Sequence, residues 1–241
     1  MQLQKTPTEN WNNRQNGAEP HYIILHYTGT KTAEEAAARF LDSTPDQEDL
    51  IGRISPHYMI DGASNILQFV EEDKRAWHAG KSFWKTEADM NSHSIGIEIW
   101  NTGHEFECEE FIPEQIDALI ELINDIRTRW DIPNANILGH SDIAPGRKKD
   151  PGEKFPWRLL EINGIGLMPQ VGEEHDSPKK EMLEIPDLFY KALHQFGYNP
   201  DANPADLLWA FRAHYAPKSL GSKDIDEETC AAILSLLAQT R

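Results

Sequence analysis

Short apolar runs alternate with amphipathic stretches along the first two thirds of the chain. Residues 21–28 (HYIILHYT) are almost uninterruptedly aromatic and aliphatic, as a strand covered on both faces requires. Thr32 and Glu35 stand in capping-box spacing and predict a helix through about Asp42. Residues 42–53 are polar, carry Pro45 and predict a loop. Residues 57–61 and 66–70 read as two strands joined around Asp61-Gly62, a hairpin signal. Residues 79–93 mix Gly, Ser, Asn and charge, and predict a long surface loop of the kind beside which functional residues gather. Residues 94–100 (SIGIEIW) form a further buried strand. Pro113 then opens a helix whose Ile116, Leu119, Ile120, Ile123 and Ile126 share one face. Residues 136–139 (NILG) predict a short strand, residues 140–152 a loop rich in Pro, Gly and Lys, and residues 155–160 a return onto the core.

This alternation predicts an α/β fold, a mixed central β-sheet flanked by helices. Residues 1–20 are polar and read as a loose N-terminal arm. Residues 21–168 form the sheet domain, and residues 169–182, rich in Pro, Gly and charge, a linker. Three helical patterns follow, about 183–197, 204–215 and 226–239, so residues 183–241 make a small all-helical C-terminal domain. Asp226 starts the last of them, which carries Cys230, Ile233, Leu234 and Leu237 on one face.

Composition narrows the function. The net charge is -17 over 241 residues, which argues against nucleic acid and against anionic lipid. No segment is apolar enough to span a bilayer. No signal-peptide pattern precedes residue 21, so the sequence as written predicts a cytoplasmic protein, with a periplasmic or outer-membrane-associated one as the alternative if a leader was removed. The two cysteines, Cys108 and Cys230, lie far apart in no metal-type spacing and read as unrelated thiols.

Ten histidines are present. His26 ends a buried strand, His140 ends another, and Asp150 follows ten residues later in HSDIAPGRKKDPG. Two imidazoles and a carboxylate are the ligand set of a catalytic zinc with one position open. Spacing alone is also met by two strand-end histidines bonded to backbone beside an ordinary loop aspartate, the commoner arrangement. Glu98 interrupts an apolar strand on the face of Gly96 and Trp100; a carboxylate there either meets solvent or serves a site. Lys148 stands two residues before Asp150 and can face the same side of the loop, or be merely solvated.

Taken together, HYIILHYTG, SPHYMID, RAWHAGKSFW, SIGIEIWN and GHSDIAPGRKKDPG resemble, in this order, the zinc-dependent N-acetylmuramoyl-L-alanine amidases, a superfamily that includes phage lysozyme-type amidases and peptidoglycan recognition proteins. The resemblance is densest over residues 20–165 and greatest to the AmiD-type branch, with AmpD-type recycling enzymes next. AFRAHYAPKS and DIDEETCAAIL are similar to the peptidoglycan-binding domain that AmiD-type enzymes carry. The resemblance implies one Zn2+ per chain held by His26, His140 and Asp150, with Glu98 as the catalytic acid and base and Lys148 stabilising the transition state. It implies that His78 lines the substrate groove; Trp77 beside it either packs under the sugar or fills the core. Relatives with a tyrosine before the position of His57 exist; Pro56 stands here, so that role falls to Glu98. His57 reads as structural, and His93, His104, His175, His194 and His214 as surface or packing residues. The implied reaction is hydrolysis of the amide between the muramic lactyl group, normal or 1,6-anhydro, and L-alanine. The implied partners are peptidoglycan fragments, or muropeptides, and the protein is expected to be a monomer. The rivals are a non-catalytic peptidoglycan-recognition module and a zinc peptidase cutting within the stem peptide.

Overall fold

The computed structural model describes residues 3–45, 52–170 and 176–240. In chain order the elements are β1 (Leu3–Lys5), β2 (Trp11–Asn13), β3 (Tyr22–Tyr27), α1 (Ala33–Leu41), β4 (Tyr58–Ile60), β5 (Ile66–Gln68), β6 (Lys74–Ala76), α2 (Met90–His93), β7 (Ser94–Ile99), α3 (Pro113–Arg127), β8 (Ile137–Gly139), α4 (His140–Ile143), α5 (Trp157–Ile162), α6 (Asp176–Glu184), α7 (Pro186–Phe196), α8 (Pro204–Tyr215) and α9 (Glu227–Gln239). Among the described residues six strands make one mixed sheet in the order β1-β5-β4-β7-β3-β8, antiparallel only between β4 and β5. Strands β2 and β6 pair separately.

The middle of the sheet explains the apolar runs. Ile23, Ile24 and Leu25 of β3 and Ile95, Ile97 and Ile99 of β7 are buried, because helices and loops cover both sheet faces. Thr32 caps α1 by accepting from the Glu35 amide, and Glu35 Oε2 accepts from the Lys31 amide. Asp226 caps α9 by accepting from the Thr229 amide. The α3 face predicted from Ile116, Leu119, Ile123 and Ile126 is buried; Ile120 lies partly buried against the same core.

Three regions differ from the reading of the sequence. The N-terminal arm is not loose. Strand β1 extends the sheet beside β5, and Asn10 and Arg14 are buried. Arg14 donates to the carbonyls of Glu72, Asn91, Ser92 and Ser94. The arm is held by polar contacts, which leave no apolar periodicity to read. Secondly, residues 79–93 are only in part a surface loop. They end in α2, and Trp84 is 1% exposed. The cover comes from the C-terminal helices: Trp84 meets Phe196 and Tyr198 at ring-centroid distances of 5.7 and 4.9 Å. A Cβ on Gly197 would lie 2.6 Å from the indole, so glycine is needed there. Thirdly, α6 begins inside the expected linker, and Pro186 breaks the single helix expected over 183–197 into α6 and α7. Residues 171–175 of that linker, with His175, lie outside the described residues, as do residues 46–51 of the loop expected over 42–53. The expected loop after His140 also opens with one helical turn, α4.

The helical tail shares its core with the sheet; the apolar cluster runs without a break from Ile24 to Ile233. Its polar anchor is Asp142 on α4. Asp142 accepts from the Tyr198 hydroxyl at 2.6 Å, from His214 Nδ1 at 2.7 Å and from the Gly139 amide at 2.7 Å. The His214 ring is stacked between Trp157 and Tyr215, at 3.6 and 3.7 Å. Asp142→Ala strands all three donors in the interior. The expected loss is about 4 kcal/mol of unfolding free energy, read by urea denaturation; a loss under about 1 kcal/mol would show that the anchor contributes little.

Cys108 and Cys230 are free thiols. Among the described residues no helix is long and apolar enough to cross a membrane.

Candidate active site

Strands β3, β7 and β8 place the site at their C-terminal ends. His26 and Glu98 are partners in the β3–β7 register, so their side chains leave the same face of the sheet. His140 begins α4 directly after β8, and the loop that follows returns Asp150 beside it, held by the Ser141 amide donating to the Asp150 carbonyl at 2.9 Å.

Three atoms converge. His26 Nδ1 lies 2.9 Å from His140 Nδ1 and 2.9 Å from Asp150 Oδ2, and His140 Nδ1 lies 3.0 Å from Asp150 Oδ2. All three residues are buried. Two imidazole nitrogens at this distance can share one proton at most, so neutral rings leave lone pairs facing one another and a carboxylate. A divalent cation relieves that crowding, and the donor set is one that zinc accepts. Among the described residues this is the one group of His, Cys, Asp and Glu whose ligand atoms gather closely enough to hold a metal.

The electrostatics of the group are those of a cation site. Burial opposes ionisation of Asp150, but His140 and then His26 outweigh it and hold the carboxyl well below its usual range. Burial, then the neighbouring His140, lowers His26 to about 4, so its imidazole is neutral at neutral pH. Glu98 goes the other way. Burial and then Asp150 push its carboxyl well above the ordinary value, against the opposing charge of Lys148. Glu98 Oε2 is enclosed and has no hydrogen-bond partner among the described residues. A buried carboxyl oxygen left without a partner is costly and marks a place where a ligand or water is expected.

The remaining predicted residues divide. Lys148 is half-buried on the same loop as Asp150, and its charge acts on both Glu98 and His26. His78 stands behind His26 rather than in an open groove, with Nδ1 3.0 Å from His26 Nε2 and Nε2 3.2 Å from Ser94 Oγ. Both its ring nitrogens are used within the protein. Trp77 is turned elsewhere: its indole donates to Asn12 Oδ1 at 2.7 Å and carries Arg53 over its ring.

His57 is buried, accepts from the Gly96 amide through Nδ1 at 3.0 Å and reaches the Lys74 carbonyl through Nε2 at 3.0 Å. Burial, then Arg14, lowers it to about 3. Between its unfolded value near 6.5 and about 3, the unfolded chain binds a proton that the folded chain refuses, so stability falls as the solution is acidified. His57→Gln keeps a polar side chain of similar size that does not titrate. In metal-free protein it should flatten the fall in urea stability between pH 6.5 and pH 4 by roughly 1 kcal/mol per pH unit. An unchanged slope would mean that His57 does not stay neutral in the fold.

Several contributors carried no signal in the sequence. The Ala79 carbonyl accepts from His140 Nε2 at 3.0 Å, and Arg147 donates to the same carbonyl. The Tyr27 hydroxyl meets His104 Nδ1 at 2.9 Å, and His104 Nε2 meets Glu153 Oε2 at 2.9 Å, fastening the loop of Asp150 to residues beyond β7. His104 and His214, expected as surface or packing residues, are both engaged, His104 in this bridge and His214 in the stack between Trp157 and Tyr215. Asp142 and Arg147 do stand inside GHSDIAPGRKKDPG, but nothing local distinguishes their roles.

The profile of the N-acetylmuramoyl-L-alanine amidase family matches residues 16–153, a stretch that contains His26, Glu98, His140, Lys148 and Asp150. The N-acetylmuramoyl-L-alanine amidase AmiD of Escherichia coli is 34% identical over 235 residues, covering 89% of this chain and 81% of that protein. The chain belongs to the N-acetylmuramoyl-L-alanine amidase family. Solved amidases extend the likeness through the helical tail. AmpDh3 of Pseudomonas aeruginosa, in complex with an anhydromuramic pentapeptide, superposes with a TM-score of 0.76 at 31% identity and 95% coverage of both chains. The structure of E. coli AmiD with the substrate anhydro-N-acetylmuramic acid-L-Ala-D-γ-Glu-L-Lys superposes at 0.74, with 31% identity and coverage of 94% of this chain and 93% of that one. The mixed sheet with flanking helices is thus the fold of these amidases.

Proposed function

We propose that this amidase cleaves the bond between the lactyl group of N-acetylmuramic acid, in its normal or 1,6-anhydro form, and the L-alanine of peptidoglycan stem peptides. The observation that carries the reading is the convergence of His26 Nδ1, His140 Nδ1 and Asp150 Oδ2 on the sheet face that also bears Glu98. These three residues would hold one zinc ion. Zinc supplies Lewis acidity, the capacity to acidify water and to polarise a carbonyl.

The chain's own part is proton handling and charge. Glu98 takes a proton from the attacking water and then delivers it to the L-alanine nitrogen as the amide bond breaks, which leaves a free lactyl carboxylate and a free amine. The enclosed Oε2, without a competing partner, suits an acid that must hold a proton in one step and release it in the other. Lys148 brings positive charge to the side where the tetrahedral oxyanion develops. The helical residues 183–241 would add a second contact with glycan or peptide while bracing α4. A monomer suffices, since every proposed site residue comes from one chain.

Mass analysis of digested muropeptides tests the assignment. The expected products are free stem peptides beginning with L-alanine, from normal and anhydro substrates alike, lost with a chelator and restored by zinc. Peptides cut internally would instead establish a peptidase, and binding without cleavage by zinc-loaded protein would establish a recognition module.

A further inference from the structure

We propose that His78 is a positioning residue: ordered by Ser94, its imidazole fixes His26 in the one tautomer that leaves Nδ1 free for a metal ion. The proposal rests on the reading of His26, His140 and Asp150 as metal ligands.

The direction of each hydrogen bond follows from the end of a chain. Ser94 Oγ lies 2.5 Å from the Met90 carbonyl, which can only accept, so the single hydroxyl proton of Ser94 points there. Towards His78 Nε2, at 3.2 Å, Ser94 Oγ is then an acceptor, and Nε2 carries the proton. A neutral imidazole has one such proton, so His78 Nδ1 is bare and accepts from His26 Nε2–H across 3.0 Å. His26 is thereby left with a bare Nδ1, the atom 2.9 Å from both His140 Nδ1 and Asp150 Oδ2. Reversing either bond to His78 puts a proton on that atom.

The second imidazole is set from the neighbouring residue. His140 Nε2 lies 3.0 Å from the Ala79 carbonyl, which can only accept, and 3.2 Å from Arg147 Nη2, which can only donate; the closer bond, to the carbonyl, leaves its Nδ1 bare as well. One dipeptide, His78-Ala79, therefore meets both rings. It is itself pinned, because Asn91 Oδ1 accepts from the amides of His78 and Ala79 at 3.0 and 2.8 Å. The His78 ring lies flat against β7, where a Cβ on Gly96 would come within 2.4 Å of its Cγ. A metal-bound histidine usually gives its second N–H to a carboxylate, carbonyl or water. Here a second histidine takes that place, and it works only if that histidine is itself ordered.

The test combines zinc titration of the full chain with nitrogen-15 NMR of its histidines in metal-free protein. His26 of the unmodified chain should be the Nε2–H tautomer. His78→Phe keeps a ring of similar size but removes the acceptor; zinc should bind 10- to 100-fold more weakly, about the usual loss for such a partner, and the His26 signals should move towards a mixture of tautomers. His78→Asn, which can offer Oδ1 near the position of Nδ1, should recover part of both losses. A dominant Nδ1–H tautomer of His26 in the unmodified chain overturns the proposal, as do unchanged zinc affinity and tautomer in His78→Phe. Failure of the unmodified chain to bind zinc would instead sink the metal reading beneath it, and the tautomer measurement separates the two failures.

Discussion

Glu98→Gln should bind one zinc as tightly as the unmodified chain within a few fold and lose about a thousandfold or more in kcat. Glutamine preserves the volume and one acceptor oxygen, so packing along β7 should hold. What it lacks is a transferable proton. Glu98 lies beside His26 in the sheet register, and its Oε2 is enclosed without a partner among the described residues. Burial, then Asp150, holds its carboxyl well above the ordinary range. A carboxyl facing the metal ligands can take a proton in one step and release it in the next, and general acid–base catalysis of this kind contributes roughly 10²–10⁴-fold. Steady-state kinetics on a purified muropeptide, with zinc content measured on the same sample, reads both quantities. Turnover within tenfold of the unmodified enzyme would remove Glu98 from the proton path.

Removing Asp150 should act on the metal itself. In Asp150→Ala the two imidazoles remain, but the one anionic donor of the trio is gone. Zinc affinity should fall by at least about a hundredfold, and activity should vanish at zinc concentrations that saturate the unmodified chain. The variant also separates metal binding from proton transfer: Glu98→Gln is expected to be zinc-loaded and inactive, Asp150→Ala zinc-poor and inactive. Competition with a chromophoric chelator gives the affinities. Equal zinc affinity in Asp150→Ala would take Asp150 out of the ligand set.

The sequence displayed what its apolar pattern and motifs could carry. The central strands around His26 and Glu98 were legible because their burial on both faces demands unbroken aliphatic runs. The helices α3 and α9 were legible from Pro113 and Asp226 at their starts together with their apolar faces, and α8 from its helical pattern. The trio His26, His140 and Asp150 was not legible from spacing, because β3 and β8 become neighbours only when the sheet forms. It was legible from resemblance, through the motifs that contain it. What stayed hidden was long-range and polar. Arg14 orders the N-terminal segment by donating to carbonyls far along the chain, Trp84 is buried by helices more than a hundred residues later, and Asp142 joins the tail to α4. Such contacts obey no period, so only the folded chain reveals them.

The central claim is that two imidazoles and one carboxylate of this chain hold a single zinc. X-ray absorption at the zinc edge, on protein loaded to stoichiometry, tests it most directly. The account predicts one zinc per chain in a first shell of two imidazole nitrogens and oxygen donors, with no sulfur. A shell containing sulfur, or no stoichiometric zinc at all, would contradict it.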